Sequence, residues 1–131
     1  MRDIIFRGKR KDNGEWVEGC YATIQNPFSE DGRPVKHLIC NGTNVFNYEI
    51  IPETVGQYTG LYDKNGKKIF EGDIIREQYG CGYDDFRVEF VLGGFNMIYI
   101  RTNQGKYAWY GENGEVVGNI HDNPELLERG E

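Results

Sequence analysis

The sequence predicts an all-β fold, in which antiparallel hairpins form a small barrel or a two-sheet sandwich and a short C-terminal helix follows. Three observations support this prediction: repeated two-residue turn signals, alternating polarity between them, and a high content of glycine and aromatic residues. The chain has 131 residues, including 18 glycines, 4 prolines and 18 aromatic residues (Tyr 9, Phe 7, Trp 2). Abundant glycine with little proline favours many tight turns, and therefore many short strands.

The turn signals are mainly Asn-Gly pairs. Both central residues of a type I′ turn need positive φ, which Asn and Gly tolerate best, and the twist of that turn matches a β-hairpin. We therefore expect hairpins near residues 13, 65, 93 and 113, and further turns near 31 and 41, where the flanking segments are polar or short. The pairs are Asn13-Gly14, Asn41-Gly42, Asn65-Gly66, Asn113-Gly114, Asp31-Gly32 and Gly93-Gly94.

The segments between these turns have strand character. In residues 86–91, Phe86, Val88 and Phe90 share one face, whereas Arg87 and Glu89 occupy the other. Residues 95–100 follow the Gly-Gly turn and are the expected partner strand. Further strands are predicted at residues 4–7, 16–24, 35–39, 48–51, 69–70, 73–77, 107–110 and 116–120.

A short helix is predicted at the C-terminus. Asn123 is a favourable N-cap, Pro124 suits the first helical position because its missing N–H would have no partner there, and Glu125 favours the positive end of the helix dipole. Leu126 and Leu127 would pack this helix against the sheet.

Chain length and cysteine usage predict the domain number and the compartment. Residues 1–131 are predicted to form a single domain, because this length suits one hydrophobic core; Pro52 and Gly56 mark where a subdomain seam near 52–56 would fall. The three cysteines have no C-x-x-C spacing, and no apolar signal segment precedes them, which favours a reducing cytoplasm. Apolar runs are only a few residues long, so no membrane anchor is expected.

The charge distribution bears on nucleic-acid binding. A net charge of −6 and an isoelectric point near 5.0 disfavour broad affinity for phosphate backbones. Basic residues nevertheless cluster in the first eleven positions, and Arg7, Lys9 and Arg10 are the candidate phosphate contacts.

No set of residues predicts a catalytic, cofactor or metal site. His37 and Cys40 are three positions apart, but the other potential zinc ligands lack paired spacing. Cys81 lies in a glycine-flanked loop, residues 79–83, yet the acidic pair that follows opposes thiolate formation. Asp84 and Asp85 would point to opposite faces of a strand. We therefore expect no catalytic residues, no cofactor, no metal and no enzyme activity.

Aromatic residues near the C-terminus are candidates for protein contacts. Tyr107 and Trp109 would share one strand face, and Tyr110 would lie on the other. Aromatic rings suit interfaces, but a small β core also needs them, so the sequence leaves both roles open. A protein partner, or a second copy of the chain in an oligomer, is the expected ligand.

Four segments resemble one known family. Residues 55–61 (Val-Gly-Gln-Tyr-Thr-Gly-Leu) and 63–75, which contain Asp63-Lys64-Asn65-Gly66 and Glu71-Gly72-Asp73, are similar to the YopX family of phage and prophage proteins. Residues 2–9 resemble the start of that family and residues 116–127 its end. The same central residues also suit two tight turns that deliver the chain into strands.

The resemblance implies a β-rich, cytoplasmic protein encoded by a phage or prophage in a bacterial host cell. It implies a single YopX-like domain, but no activity and no catalytic or binding residues. The expected function is therefore that of a non-catalytic accessory protein that binds protein or associates with itself. The alternative is a regulatory protein that binds nucleic acid or imitates DNA with its acidic surface.

Overall fold

The computed structural model describes residues 4–25, 28, 31–40, 47–91, 93–102 and 114–128. The described strands form two antiparallel sheets, which confirms the all-β prediction. Neither sheet closes into a barrel, so the predicted barrel is wrong. The chain divides into two compact units, Met1–Gln57 and Tyr58–Glu131. The strands are β1 (Phe6–Lys9), β2 (Trp16–Gln25), β3 (Pro34–Cys40), β4 (Asn47–Glu49), β5 (Gly56–Tyr62), β6 (Lys68–Phe70), β7 (Asp73–Tyr79), β8 (Gly82–Val91), β9 (Gly94–Tyr99) and β10 (Glu115–Asn119).

In the first unit the strands follow the order β4-β3-β2-β1, and the start of β5 pairs with β1. Strand β2 changes partner along its length: residues 16–19 pair with β1, and residues 20–25 pair with β3. A bridge between Arg10 and Ile50 links the ends of β1 and β4, so this sheet curls. Ile39 and Ile50 are buried in this unit.

The strands β2 and β3 approach each other closely where β2 changes partner. A Cβ atom at Gly19 would lie 2.3 Å from the carbonyl oxygen of Cys40, which is closer than real Cβ contacts allow. Because the obstructing atom belongs to the backbone, it cannot move aside as the end of a side chain would. Glycine at this position therefore permits the observed approach of the two strands.

The second unit contains the β5–β6 hairpin and a four-stranded sheet in the order β10-β7-β8-β9. Its core combines one residue of β6 with residues from three strands of that sheet. The buried members are Ile69, Ile75, Phe86, Val88 and Met97.

Three of the predicted hairpins are confirmed. The turns at residues 13, 65 and 93 connect β1 to β2, β5 to β6 and β8 to β9, all paired antiparallel. Gly14, Gly66 and Gly93 have φ of +74°, +83° and +83°, the conformation for which glycine was expected. Asp31-Gly32 lies between β2 and β3, whereas the predicted turns at 41–42 and at Asn113 lie outside the described residues.

The predicted C-terminal helix is wrong: the described segment is a short 3₁₀ turn, Pro124–Glu128. The side-chain oxygen of Asn123 accepts a hydrogen bond from the backbone N–H of Asn119 at 3.1 Å, so it points back along the chain. It therefore does not cap the N–H groups that follow, and the N–H of Leu126 instead bonds to the carbonyl of Asn123 at 3.0 Å.

Two local predictions also need correction. Residues 79–83 were expected to be a loop, but they form a tight hairpin in which Tyr79 pairs with Gly82. Gly80 has φ of +51°, so it provides the left-handed conformation without an Asn-Gly pair. Strand β5 was not predicted at all, and the predicted strand at residues 107–110 lies outside the described part of the chain.

The residues that carry the family resemblance form hydrogen-bonded turns. Asp63 is buried, and its carboxylate accepts backbone N–H bonds from Asn65, Lys67 and Val116, each at 2.9 Å. These bonds join the β5–β6 turn to β10. Asn119 has a similar role, because its side-chain oxygen accepts the N–H groups of the next turn at 3.0 and 2.9 Å.

Candidate functional site

The antiparallel register of β1 and β2 places two basic residues beside a tryptophan. Arg7 is opposite Glu18 and Lys9 is opposite Trp16, so these four side chains share one face of the sheet. The guanidinium of Arg7 lies 4.6 Å from the centroid of the Trp16 ring, and Lys9 Nζ lies 5.7 Å from it. Both distances are typical of cation–π contacts.

An open groove of about 510 Å³ adjoins this ring. We call it the Trp16 groove, and its lining residues are Ile5, Trp16, Val17, Glu18 and Gly19. It combines an aromatic face with a single acidic side chain. Arg7, only 9% exposed, is largely covered and presents little surface to a ligand.

Arg10, the third predicted phosphate contact, is engaged within the chain. Its guanidinium donates two hydrogen bonds to Asp12, at 3.0 and 2.6 Å, and stacks 4.5 Å from the Tyr48 ring centroid. The hydrogen bond to Asp12 raises the pKa of Arg10, so this side chain stays charged but paired. That Arg7, Lys9 and Arg10 contact phosphate stays a prediction.

A tyrosine–histidine pair lies on the opposite face of β2. Tyr21 Oη lies 2.5 Å from His37 Nδ1, and the two rings stack with an interplanar angle of 11°. Burial raises the pKa of Tyr21, so the hydroxyl stays protonated while it shares a hydrogen bond with the ring nitrogen of His37. Sequence reasoning missed the pair, because no spacing in the chain indicates which β3 residue lies near Tyr21.

The potential metal ligands and carboxylates are separated by their strands. Side chains alternate along β3, so His37 and Cys40 point to opposite faces. Asp85 forms two hydrogen bonds with Arg76, at 2.8 and 3.1 Å, whereas Asp84 lies 3.6 Å from Arg101. Within the described residues, no group of three or more His, Cys, Asp or Glu side chains could hold a metal ion.

In the second unit, an apolar row of β8 and β9 runs from the core to solvent. The opposed pairs are Phe86 with Tyr99, Val88 with Met97, and Phe90 with Phe95. Phe86 and Val88 are buried, but Phe90, at the end of the hairpin, is 49% exposed. Its ring packs edge-on against Phe95 with centroids 5.0 Å apart. We call these two residues the Phe90–Phe95 pair.

Of the remaining residues considered in the sequence analysis, one is described by the structure and three are not. Cys81 is exposed, at the turn between β7 and β8. Tyr107, Trp109 and Tyr110, the predicted interaction residues, lie outside the described residues, so their role stays a prediction. Among the described aromatic residues, Phe28, Tyr62 and Phe90 are exposed, and Phe90 packs against Phe95.

The fold and these surfaces define an all-β protein of two antiparallel sheets, with Phe90 half-exposed at the end of one hairpin. The family model for the YopX protein matches residues 5–128, which include most of both compact units. The chain belongs to the YopX family, as its turn segments indicated, and membership suggests a phage-associated protein.

One solved structure supports the fold assignment. Protein EF1440 from Enterococcus faecalis superposes with a TM-score of 0.57 at 23% sequence identity, covering 97% of this chain and 99% of that one. At this identity the likeness concerns the fold alone. No curated protein matches the chain. In the described part of the structure, no helix has the length and apolar character needed to cross a membrane.

Proposed function

We propose that this chain is a non-catalytic accessory protein, encoded by a phage or prophage and acting in the cytoplasm of its bacterial host, that functions by binding protein. Its first partner in this proposal is a second copy of the same chain. The observation that carries the proposal is the Phe90–Phe95 pair, in which Phe90 is half-exposed and continues the buried core row of β8 and β9 into solvent.

Burial of the aromatic pair would provide the driving force. Phenylalanine buries a large apolar area, and aromatic side chains are enriched at protein interfaces. A contact between two copies would cover the exposed half of each Phe90 ring, contributing on the order of 1 kcal/mol per ring. A pair that meets its own equivalent also suits the two-fold symmetry of most homodimers.

The charges along β8 do not oppose such a contact. Arg87 and Glu89 alternate with the apolar residues along β8, so they lie on the other face of the strand. Their side chains form an ion pair. They therefore contribute no net charge near Phe90, and two copies would not repel each other there. This neutrality favours a second copy over a strongly charged partner at this end of the hairpin.

Replacement of Phe90 by glutamate tests the proposal. We expect the wild-type protein to dimerise with increasing concentration, and Phe90→Glu to raise the dissociation constant about tenfold or more, because each copy would bury a carboxylate. Size-exclusion chromatography with light scattering over a concentration series measures the effect.

Ile24→Glu is the matched control, because Ile24 is 45% exposed on β2 in the other unit. It should leave the dissociation constant unchanged, and circular dichroism should show that both variants fold. A wild-type protein that stays monomeric throughout, or equal effects of the two variants, would contradict the proposed surface.

Nucleic-acid binding is the second candidate, favoured by Lys9 beside the ring of Trp16. Aromatic rings and cations together bind single-stranded nucleic acid. Direct binding predicts a salt-dependent shift with oligonucleotides, and Lys9→Ala should reduce the salt slope by about one. Absence of a shift at low salt would contradict direct binding.

The other form of this candidate is imitation of DNA. It rests on the net charge of −6 and predicts that the protein captures a DNA-binding protein, which added DNA then displaces.

A further inference from the structure

Two of the three cysteines face each other across neighbouring strands. Cys20 on β2 is the direct antiparallel partner of Cys40 on β3. Directly opposed residues of an antiparallel pair project from the same face of the sheet. Both thiols are free in this structure; Cys20 is exposed and Cys40 is half-buried.

The spacing of such a pair suits a disulfide bond. Opposed Cα atoms in antiparallel strands lie about 4.5 or 5.5 Å apart, within the range of roughly 4.4–6.8 Å that disulfides require. At Gly19 a Cβ would lie 2.3 Å from the Cys40 carbonyl oxygen, so the two backbones also approach each other closely beside this pair. The cross-link therefore needs little backbone movement.

We propose that Cys20 and Cys40 form a reversible redox-modification site, in which an intramolecular disulfide joins β2 to β3. The oxidant is a low-molecular-weight disulfide such as glutathione disulfide. The exposed Cys20 thiolate attacks one of its sulfurs, forming a mixed disulfide and releasing one glutathione thiolate. The Cys40 thiolate then attacks the Cys20 sulfur, and the second glutathione leaves as thiolate.

The step balances in protons and electrons. The two cysteines lose two protons and two electrons, while one glutathione disulfide is reduced to two glutathione molecules. Excess reduced glutathione reverses the reaction by the same exchange. The disulfide closes the chain between residues 20 and 40, which limits the conformations of the unfolded state and stabilises the β2–β3 pairing.

The experiment uses the full chain carrying Cys81→Ser, which leaves only the proposed pair of thiols. The variant is equilibrated in buffers of reduced and oxidised glutathione, quenched with acid, alkylated and mapped by mass spectrometry. We expect a Cys20–Cys40 linked peptide from the monomer, with a formation constant at least about tenfold larger for folded protein than in concentrated guanidinium chloride. The second substitution Cys40→Ser should stop the reaction at a glutathione adduct on Cys20.

Wild-type protein mapped in parallel keeps the test independent of the Cys81→Ser variant. In it, the Cys20–Cys40 pairing should exceed both pairings that involve Cys81. The proposal is overturned if the folded variant forms the disulfide no more readily than the unfolded chain. It is equally overturned if oxidation yields only disulfides between two chains or pairings with Cys81.

Discussion

Phe86→Ala is expected to destabilise the protein by about 4 kcal/mol, because it removes a large side chain from the centre of the second core. Phe86 is 1% exposed, and its ring lies 4.4 Å from that of Tyr99. The truncation loses the transfer free energy of the ring and leaves a cavity that the paired strands β7 and β9 can fill only in part. Equilibrium unfolding in urea measures the change in the free energy of unfolding.

Phe90→Ala is the matched control, since it removes the same side chain from the same face of the same strand. Phe90 is 49% exposed, so its truncation should cost only about 1 kcal/mol. Similar losses at both positions would mean that the end of the hairpin is as well covered as its centre. That result would also argue against Phe90 as a contact surface.

Asp63→Ala is expected to destabilise the protein by about 3 kcal/mol. Asp63 is 6% exposed and its carboxylate accepts three backbone N–H groups, so truncation leaves donors without a partner between the β5–β6 turn and β10. Asp31→Ala is the control: Asp31 accepts the backbone N–H of Arg33 in an exposed turn, where water can replace the bond, so the substitution should cost less than about 0.5 kcal/mol. A small effect at both positions would mean that solvent replaces the Asp63 bonds.

Because the pKa of Asp63 differs between the folded and unfolded states, the stability of the protein should depend on pH. Burial opposes its ionisation, but the N–H bonds from Val116, Lys67 and Asn65 outweigh burial and lower the pKa of Asp63. The ionised Asp63 carboxylate therefore contributes fully to the free energy of unfolding above its unfolded-state pKa of about 3.9. This contribution is lost as the pH falls through the lower pKa that Asp63 has in the folded protein. Asp63→Asn should flatten this acid limb of the stability curve; an unchanged slope would assign the limb to other carboxylates.

The contrast between Phe86 and Phe90 shows how far the sequence could predict a site. Alternation placed both residues on one apolar face of a strand, and the structure confirms that shared face. Alternation does not say where along the strand the covering elements end. That depends on the partner residues of neighbouring strands, so burial of Phe86 and exposure of Phe90 follow from tertiary contacts alone.

A competing hydrogen bond explains why the predicted C-terminal helix does not form. Asn123-Pro124-Glu125 is a favourable helix start by composition, yet the Asn123 side chain bonds back to Asn119. That bond depends on the turn that Asn119 itself organises, with its oxygen bonded to the N–H groups of His121 and Asp122. Capping preferences are read from neighbouring residues alone. They cannot include the backbone N–H of Asn119, which reaches the Asn123 side chain only after β10 has ended in this turn.

By itself, the sequence determined the features that depend on neighbouring residues: the all-β class, the hairpins at Asn13-Gly14 and Asn65-Gly66, and the segments that indicated the family. These follow from side-chain alternation and from the φ that glycine permits. The tertiary structure alone decided which distant residues meet, including Cys20 opposite Cys40 and Tyr21 beside His37. The physical reason is that strand order and register arise from pairing between segments far apart in the chain, and no local pattern encodes which segments those are.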